Sequence, residues 1–334
     1  METIKWGVLG TGRIARKFAE DLRLAEGCEL IAVGSRSQAG ADNFSKQFAV
    51  KYAHSSYAEL AQNPEVDVIY IATPHNLHHE NTLMCLNNHK AVLCEKPFAI
   101  NTRQALEMIN LAMEKKVFLM EALWTKFHPH YIKMQEMIKQ GLLGDITTVL
   151  ANFGFKPLPP VNPRLYEPAL GGGTMMDIGI YNVLLAIGVL GKPDHIDAVM
   201  TPAPTGVDEQ CAVLFRYKNG SMAQLFSTFS ANLATDADIC GSKGRIRLTS
   251  KFYEPSATIE FYEGRDAPKQ VIPVEKEGGT GYQYEARHVN ECLRNGLTES
   301  PVIPFADTIE LMETLDKIRE IAGIRYPADN DNLP

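Results

Sequence analysis

The sequence predicts an α/β protein of two domains: an N-terminal doubly wound parallel sheet, then an α+β domain built on a large open, mostly antiparallel sheet. Three observations carry this. A glycine-rich turn, Gly10-Thr11-Gly12-Arg13-Ile14-Ala15, joins the first apolar run to the first amphipathic stretch. Apolar runs and helical stretches then alternate as far as Met120, the pattern of strands joined through crossover helices. From His195 to Val274 the pattern changes to short alternating runs separated by turn signals such as Lys218-Asn219-Gly220 and Ser242-Lys243-Gly244. At 334 residues the chain is too long for one ordinary core. Domains are expected over 1–122 and 123–334, with the last helices available to pack back on the first.

Net charge is −7, from 33 Lys and Arg against 40 Asp and Glu, with no basic stripe and no run of like charge. Nucleic acid and an anionic membrane are therefore not expected partners. The N-terminus enters a strand directly, without a signal-peptide layout, and no apolar run approaches the ~20 residues of a membrane span. Six cysteines (Cys28, Cys85, Cys94, Cys211, Cys240 and Cys292) are scattered without C-x-x-C spacing. They read as thiols of a reducing compartment, and a cytoplasmic protein is expected.

Ile4 to Leu9 is the first strand, and a helix follows from about Ile14 to Leu24, with Ile14, Phe18 and Leu22 at helical spacing. The G-x-G-x-x-A between them has a physical use. The first glycine permits a tight turn, and the second lets backbone approach a pyrophosphate. The small Ala15 lets the helix pack closely on the strand, its N-terminus toward the phosphates. Gly10, Thr11, Gly12, Arg13 and Ile14 are thus expected at a dinucleotide. The second strand, Glu29 to Val33, ends at Gly34-Ser35-Arg36-Ser37. An NAD site places an acid here for the ribose 2′-hydroxyl, and none is present. A guanidinium flanked by hydroxyls suits a 2′-phosphate, so Ser35 and Arg36 point to NADP, with NAD as the alternative. An exposed loop arginine is the plainer reading of Arg36.

The third strand, Val66 to Ala72, ends in Thr73-Pro74-His75-Asn76, and a helix from Leu77 to Asn87 leads to the fourth strand, Ala91 to Cys94. Ligands of open α/β sheets bind at these strand ends, which brings Thr73, Pro74, Asn76 and His78 to the cofactor. His75, His78 and His79 fit one helix face, but no cysteine or carboxylate stands at a convincing ligand spacing, and no metal is expected. The fourth strand stops on Glu95-Lys96-Pro97, where the proline forbids simple continuation. A lysine there is costly unless an anionic group or a reaction needs it. Lys96 is therefore the candidate reacting group, with Glu95 beside it at the cofactor. After Asn101-Thr102 a helix from Arg103 to Lys115 leads to a fifth strand, Val117 to Met120.

A glycine turn at the start of the chain, followed by Glu-Lys-Pro on a later strand, resembles the Gfo/Idh/MocA oxidoreductases. That family pairs a Rossmann domain with a C-terminal α/β domain on a largely open sheet. Three further segments are similar to its branch of dimeric dihydrodiol dehydrogenases and NADP-dependent D-xylose dehydrogenases. They are Met120-Glu121-Ala122-Leu123-Trp124-Thr125-Lys126-Phe127, the stretch from Gly171 to Tyr181, and Tyr284-Glu285-Ala286-Arg287-His288-Val289. The resemblance spans nearly the whole chain. Lys126 stands where the branch often has arginine, and His128-Pro129-His130 is a local variation; both bear on the substrate pocket. The resemblance also implies a cis Lys96–Pro97 bond.

In the second domain a helix is expected over Pro129 to Gln140, a strand over Ile146 to Phe155 and a proline-rich loop over Pro157 to Pro168. Gly171-Gly172-Gly173 then precedes a helix from Thr174 to about Leu190. Asp177 and Tyr181 are four apart on it and share a face. Alone, Tyr181 reads as a core tyrosine satisfied by Asp177. The wider family carries histidine at this position, and tyrosine is the residue of the dihydrodiol dehydrogenase branch. Strands follow at His195 to Met200, Cys211 to Tyr217, Met222 to Thr228, Ala237 to Cys240, Ile246 to Thr249 and Thr258 to Tyr262. Neither face of Met222 to Thr228 is plainly polar. Burial on both sides and a homodimer through this sheet are expected, a monomer core being the alternative. Helices over Tyr282 to Asn295 and Ala306 to Ile321 close the chain, and Ala328 to Pro334 reads as a frayed tail.

The resemblance implies an NADP-dependent oxidoreductase that moves hydride between nicotinamide and a hydroxyl-bearing carbon or carbonyl of a sugar, polyol or cyclic diol. Lys96, Tyr181 and Asp177 are the expected catalytic set. In oxidation Tyr181 takes the hydroxyl proton while Lys96 holds the tyrosinate, because a nearby ammonium lowers a phenol's pKa. In the alternative assignment Lys96 transfers the proton and Tyr181 orients. Asp177 orients Tyr181 or a substrate hydroxyl, and Trp124, Phe127 and Phe153 wall the pocket. A catalytically silent NADP-sensing regulator, and a reductase of anhydro-sugars or ketones, are the competing functions.

Overall fold

The computed structural model describes residues 3–264 and 267–330, and the chain divides into two compact units. Residues up to Phe127 together with Glu277–Ile309 form the first, and His128–Lys276 with the residues from Glu310 form the second.

The first unit runs β1 (Ile4–Leu9), α1 (Arg13–Leu22), β2 (Cys28–Gly34), α2 (Gln38–Phe48), β3 (Tyr52–His54), α3 (Tyr57–Gln62), β4 (Val68–Ile71), α4 (His78–Asn87), β5 (Ala91–Glu95), α5 (Thr102–Lys115) and β6 (Leu119–Ala122). The strands form one parallel sheet in the order β3-β2-β1-β4-β5-β6. β4 and β5 are buried at every position, as apolar strands covered by helices on both faces must be. The strand order reverses at β1 and β4, so a ligand crevice is expected beyond their carboxyl ends. Periodicity does not predict α2, β3 and α3. β3 is a half-buried edge strand of three residues and α3 has six, too short for a repeating apolar face. Their caps are nonetheless present: Ser37 Oγ accepts from Gly40 N and Ser56 Oγ from Glu59 N, both at 3.2 Å. Each such cap stabilises its helix by ~1 kcal/mol.

The second unit begins with α6 (Pro129–Lys139) and β7 (Ile146–Gly154). Short 3₁₀ turns follow at Pro163–Leu165 and Pro168–Leu170. The helix expected from Thr174 is in fact composite: a π-helical turn, Met175–Gly179, precedes α7 (Ile180–Leu190). Pro168–Leu190 is long and apolar enough to cross a bilayer, contrary to the expectation of no such run, but 78% of its most apolar window is buried inside the protein. It is a core helix. Seven strands follow: β8 (His195–Pro202), β9 (Asp208–Arg216), β10 (Met222–Thr228), β11 (Ala237–Gly241), β12 (Gly244–Thr249), β13 (Thr258–Glu263) and β14 (Gln270–Ile272). The eight-stranded sheet has the order β14-β13-β12-β11-β7-β10-β9-β8, with only β7 and β10 parallel. Within one chain β10 is not buried on both sides. Ala223, Leu225 and Ser227 point into the core, whereas Met222 and Gln224 are exposed. The outer face also carries Leu150 and Val199, the latter 66% exposed.

The chain then returns to the first unit as α8 (Tyr282–Arg294). The Asp21 carboxylate of α1 accepts from Thr280 N, Thr280 Oγ1 and Tyr282 N at 2.8–2.9 Å and so caps this helix. Trp6 Nε1 donates to Asn290 Oδ1 at 3.0 Å, fixing α8 against the sheet. α9 (Phe305–Ala322) starts in the first unit and its remaining turns belong to the second. Residues 328–330 are not frayed. Arg319, 4% exposed, binds Asp329 at 2.8 and 3.2 Å, and Asp329 accepts from Tyr326 N at 2.9 Å. The remainder of the expected tail, 331–334, lies outside the described residues.

Candidate active site

In the first unit the glycine turn meets its physical requirements. Gly10 has φ +110°, and a Cβ on it would lie 2.9 Å from Ala72 O, so the turn needs glycine for both conformation and space. Gly12 is the N-cap of α1, where a Cβ would meet nothing within 4 Å. No side chain caps α1 and no acid stands in its first turn. An uncapped helix start with an open cradle fits the pyrophosphate of a dinucleotide. Thr11 and Ile14 are half-buried, Arg13 is exposed beside them, and Ala15 is fully buried under the helix.

At the end of β2 Ser35 is buried and Arg36 is exposed, while Ser37 spends its hydroxyl on the α2 cap. At the end of β4 Thr73 Oγ1 accepts from Asn81 Nδ2 at 3.2 Å, and Pro74 leads into the 3₁₀ turn His75–Leu77. Asn76 Oδ1 is buried with no hydrogen-bond partner among the described residues. An orphaned amide oxygen in the turn after β4 suits a cofactor group that donates to it. His78 is fully buried, its Nδ1 2.8 Å from Pro97 O and its Nε2 3.0 Å from Thr73 O. It ties the ends of β4 and β5 together, a bracing role that the sequence pattern does not distinguish from ligand contact.

Lys96 is half-buried at the end of β5, and its bond to Pro97 is cis. Lys96 N donates to Glu95 Oε2 at 3.1 Å, while Tyr70 OH donates to Glu95 Oε1. Glu121 Oε1 accepts from Phe98 N at 3.2 Å, and burial pushes the Glu121 carboxyl up to about 7. Glu285 on α8 is fully buried, and neither of its oxygens has a hydrogen-bond partner among the described residues. Burial first and the Glu95 charge second drive its carboxyl well above the usual range. Glu95 and Glu121 thus brace the backbone on either side of the Lys96–Pro97 bond, and burial favours Glu121 and the nearby Glu285 as neutral groups. Trp124 stacks on Tyr282 with centroids 4.6 Å apart, Phe127 lies 4.8 Å from the His288 ring, and Lys126 pairs with Asp307 at 2.8 Å.

In the second unit Tyr181 is 8% exposed in the first turn of α7. Its ring centroid lies 5.9 Å from Phe153 and 4.7 Å from Tyr253, and Phe153 and Tyr253 stack at 4.4 Å. Asp177 lies in the π-helical turn, where Arg164 Nη1 donates to its Oδ1 at 3.0 Å. The start of this turn is held by Asp208, whose Oδ2 accepts from Thr174 Oγ1 and Met175 N, both at 2.6 Å. Burial pushes the Asp208 carboxyl up to about 6. Tyr326 OH donates to Gly172 O at 2.6 Å, and Asn182 Nδ2 to Phe226 O at 3.0 Å, fixing the helix before and after Tyr181. His130 Nε2 lies 2.8 Å from Phe252 O and so supports the residue before Tyr253; burial lowers the His130 ring to about 4 and leaves it a neutral donor.

The structure therefore brings Tyr181 and Phe153 together in the second unit. It places Lys96, Glu95, Trp124, Phe127 and the glycine turn in the first. Sequence reasoning missed Arg164, Asp208, Tyr253 and Tyr326. For Arg164, Asp208 and Tyr326 the local signal is the glycines at 171–173, which demand a close neighbour without naming it; Tyr253 has no such signal.

Residues 4–123 match the oxidoreductase family with an NAD-binding Rossmann fold, and residues 131–247 match the GFO/IDH/MocA C-terminal domain. The chain is 39% identical over 331 residues to trans-1,2-dihydrobenzene-1,2-diol dehydrogenase of Xenopus laevis, covering 97% of this chain and 99% of the relative. It is 36% identical over 332 residues to the Homo sapiens protein of the same name, covering 98% and 99%. Among solved structures it is similar to KijD10, a 3-ketoreductase from Actinomadura kijaniata in complex with NADP and TDP-benzene. The TM-score is 0.86 at 26% identity, over 96% of this chain and 98% of that one. With its glycine turn, its Glu95-Lys96-Pro97 strand end and both domain matches, the chain belongs to the Gfo/Idh/MocA family of oxidoreductases.

Proposed function

We propose that the protein is an NADP-dependent dehydrogenase acting on a hydroxyl-bearing carbon of a cyclic diol, sugar or polyol. The observation that carries the reading is the uncapped start of α1 with open space around Gly12, a cradle the chain's own side chains leave unfilled. Arg36, exposed at the end of β2 in place of an acid, supports a 2′-phosphate and hence NADP. The full-length likeness to dihydrodiol dehydrogenases supports a vicinal diol or sugar as substrate. Bound at the glycine turn, nicotinamide supplies hydride acceptance or donation.

The chain's residues do the rest. Tyr181 takes the proton of the reacting hydroxyl, and Lys96 supplies the positive charge that makes a tyrosinate accessible. Phe153 and Tyr253 keep water from the phenol on their side. Asp177 orients the phenol or a substrate hydroxyl. Trp124 and Phe127 offer apolar ring surface to the substrate from the first unit. A second copy of the chain covers the outer face of the eight-stranded sheet, where Leu150, Val199 and Met222 are exposed. The six cysteines are all free thiols, which supports a cytoplasmic setting.

The test follows nicotinamide absorbance with NADP and a panel of cyclic diols, aldoses and polyols. Wild-type turnover is expected, with Tyr181→Phe lowering kcat by at least about 100-fold and removing one limb of its pH profile. Tyr181→Phe with near-normal turnover and pH dependence would sink the role given to that residue. Tight NADPH binding with no turnover across the panel would favour a sensor.

A further inference from the structure

Arg164 sits in a 3₁₀ turn that folds back on the segment it serves. Asn162 Oδ1 accepts from Arg164 N at 3.1 Å and caps the turn. Gly173 N donates to Leu165 O at 2.8 Å and Gly172 N to Glu167 O at 3.0 Å, stapling the turn to the glycine loop ahead of the π-helical turn. The approach is close enough that a Cβ on Gly172 would lie 2.8 Å from Glu167 N and 3.0 Å from Arg164 O. The hook delivers the guanidinium to Asp177, Nη1 to Oδ1 at 3.0 Å, with side chains only 28% and 12% exposed. Asp177 is four residues before Tyr181, a spacing at which helical side chains are neighbours. A poorly hydrated carboxylate there opposes a tyrosinate unless a cation offsets it.

We infer that Arg164 is a positioning residue for Tyr181 that acts through Asp177, fixing the carboxylate and cancelling its charge one turn before the phenol. The inference rests on the role proposed above for Tyr181 and deepens it. Phe153 of β7 brings no charge to the phenol, and Tyr253 is a titratable group packed against it at a tilt, 4.7 Å between centroids. Behind Tyr253, His128 and His130 are held neutral by burial, and Asp208 is engaged at the helix start. The Arg164–Asp177 pair is thus the charge balance on Tyr181's own helix.

The experiment compares pH profiles of kcat for NADP-dependent oxidation in wild type, Arg164→Met, Arg164→Lys, Asp177→Asn and the Arg164→Met/Asp177→Asn double variant. NADPH affinity, read by nicotinamide fluorescence, reports on the first unit. Arg164→Met is expected to move the Tyr181-dependent limb to higher pH by about one unit and to lower kcat near neutrality ~10-fold, with NADPH affinity unchanged. Arg164→Lys should recover most of the shift. In the double variant, with no carboxylate left to compensate, the limb should return to that of Asp177→Asn alone. Should Arg164→Met not fold, Arg164→Gln, which keeps a donor to Asp177 but loses the charge, must show the same shift. A limb unmoved by loss of the charge, or a shift that persists when Asp177 is neutral, overturns the inference while leaving Tyr181 its role. A limb that survives Tyr181→Phe overturns both.

Discussion

Two glycine turns, one in each unit, open helical segments and meet the same electrostatic demand in opposite ways. At Gly10-Thr11-Gly12 the chain leaves the first N–H groups of α1 without a side-chain cap and leaves open space where a Cβ would stand on Gly12. At Gly171-Gly172-Gly173 the corresponding place is filled from within. Asp208 brings a carboxylate to Thr174 Oγ1 and Met175 N, and a Cβ on Gly173 would lie 2.2 Å from Asp208 Oδ1. α8 shows the second solution again, with Asp21 at its start. A positive helix end attracts an anion in each case. Whether that anion belongs to the protein or to a ligand depends on what the rest of the fold brings to the turn, and glycine spacing does not encode it.

The sharpest way to break this contrast is to add a methyl group to the filled turn. Gly173 combines φ +109° with the Asp208 contact, so Gly173→Ala forces a strained backbone and displaces a buried carboxylate. A loss of about 4 kcal/mol is expected in urea unfolding, with activity falling as Asp177 and Tyr181 lose their register. A variant as stable as wild type would mean that Asp208 is not packed against this turn in solution.

The second test uses the titration of the internal anion. Burial places the Asp208 carboxyl at about 6, above its ordinary value of 3.8. Between those values the folded protein holds a proton that the unfolded chain has released. The contribution is therefore fully present below about pH 4, falls as pH rises, and is lost above about pH 6; the change is about 3 kcal/mol. Asp208→Asn cannot titrate. Its stability-against-pH curve should lack that much of the decline, while Glu121 and Glu285 keep their share of a slope of the same sign. Equal slopes in variant and wild type would refute a buried, proton-holding Asp208.

The same contrast explains what was legible in the sequence. The first sheet was readable because strands buried on both faces are continuous apolar runs, and the glycine turn because backbone geometry restricts residue choice within six positions. The charged end of β5 was readable because charge at the end of an apolar run is costly. The partners of the second site come from afar and carry no local pattern. Asp208 reaches Thr174 across 34 residues and His130 reaches Phe252 across 122; Arg164 lies in the proline-rich loop over 157–168, whose composition does not name Asp177 as its partner. The π-helical turn was missed for a different reason, since apolar spacing over 174–190 fits an α-helix and does not register a change of pitch. The C-terminal turn was misread because charge, Arg319 with Asp329, holds it in place of an apolar contact.

The smallest expected effect is the most diagnostic, because it adds the same methyl group to the open turn. Gly12 has extended backbone that any residue adopts, and its Cβ would meet no atom of the protein. Gly12→Ala should therefore fold with an unfolding midpoint close to wild type. The methyl would occupy the approach reserved for a pyrophosphate, so NADPH affinity should fall about 30-fold, or about 2 kcal/mol, with kcat at saturating cofactor little changed. Fluorescence titration beside thermal unfolding separates the two quantities. Lost affinity with retained stability identifies the turn as built for an external anion, whereas lost stability with retained affinity would make it a second filled turn and remove the cofactor from α1.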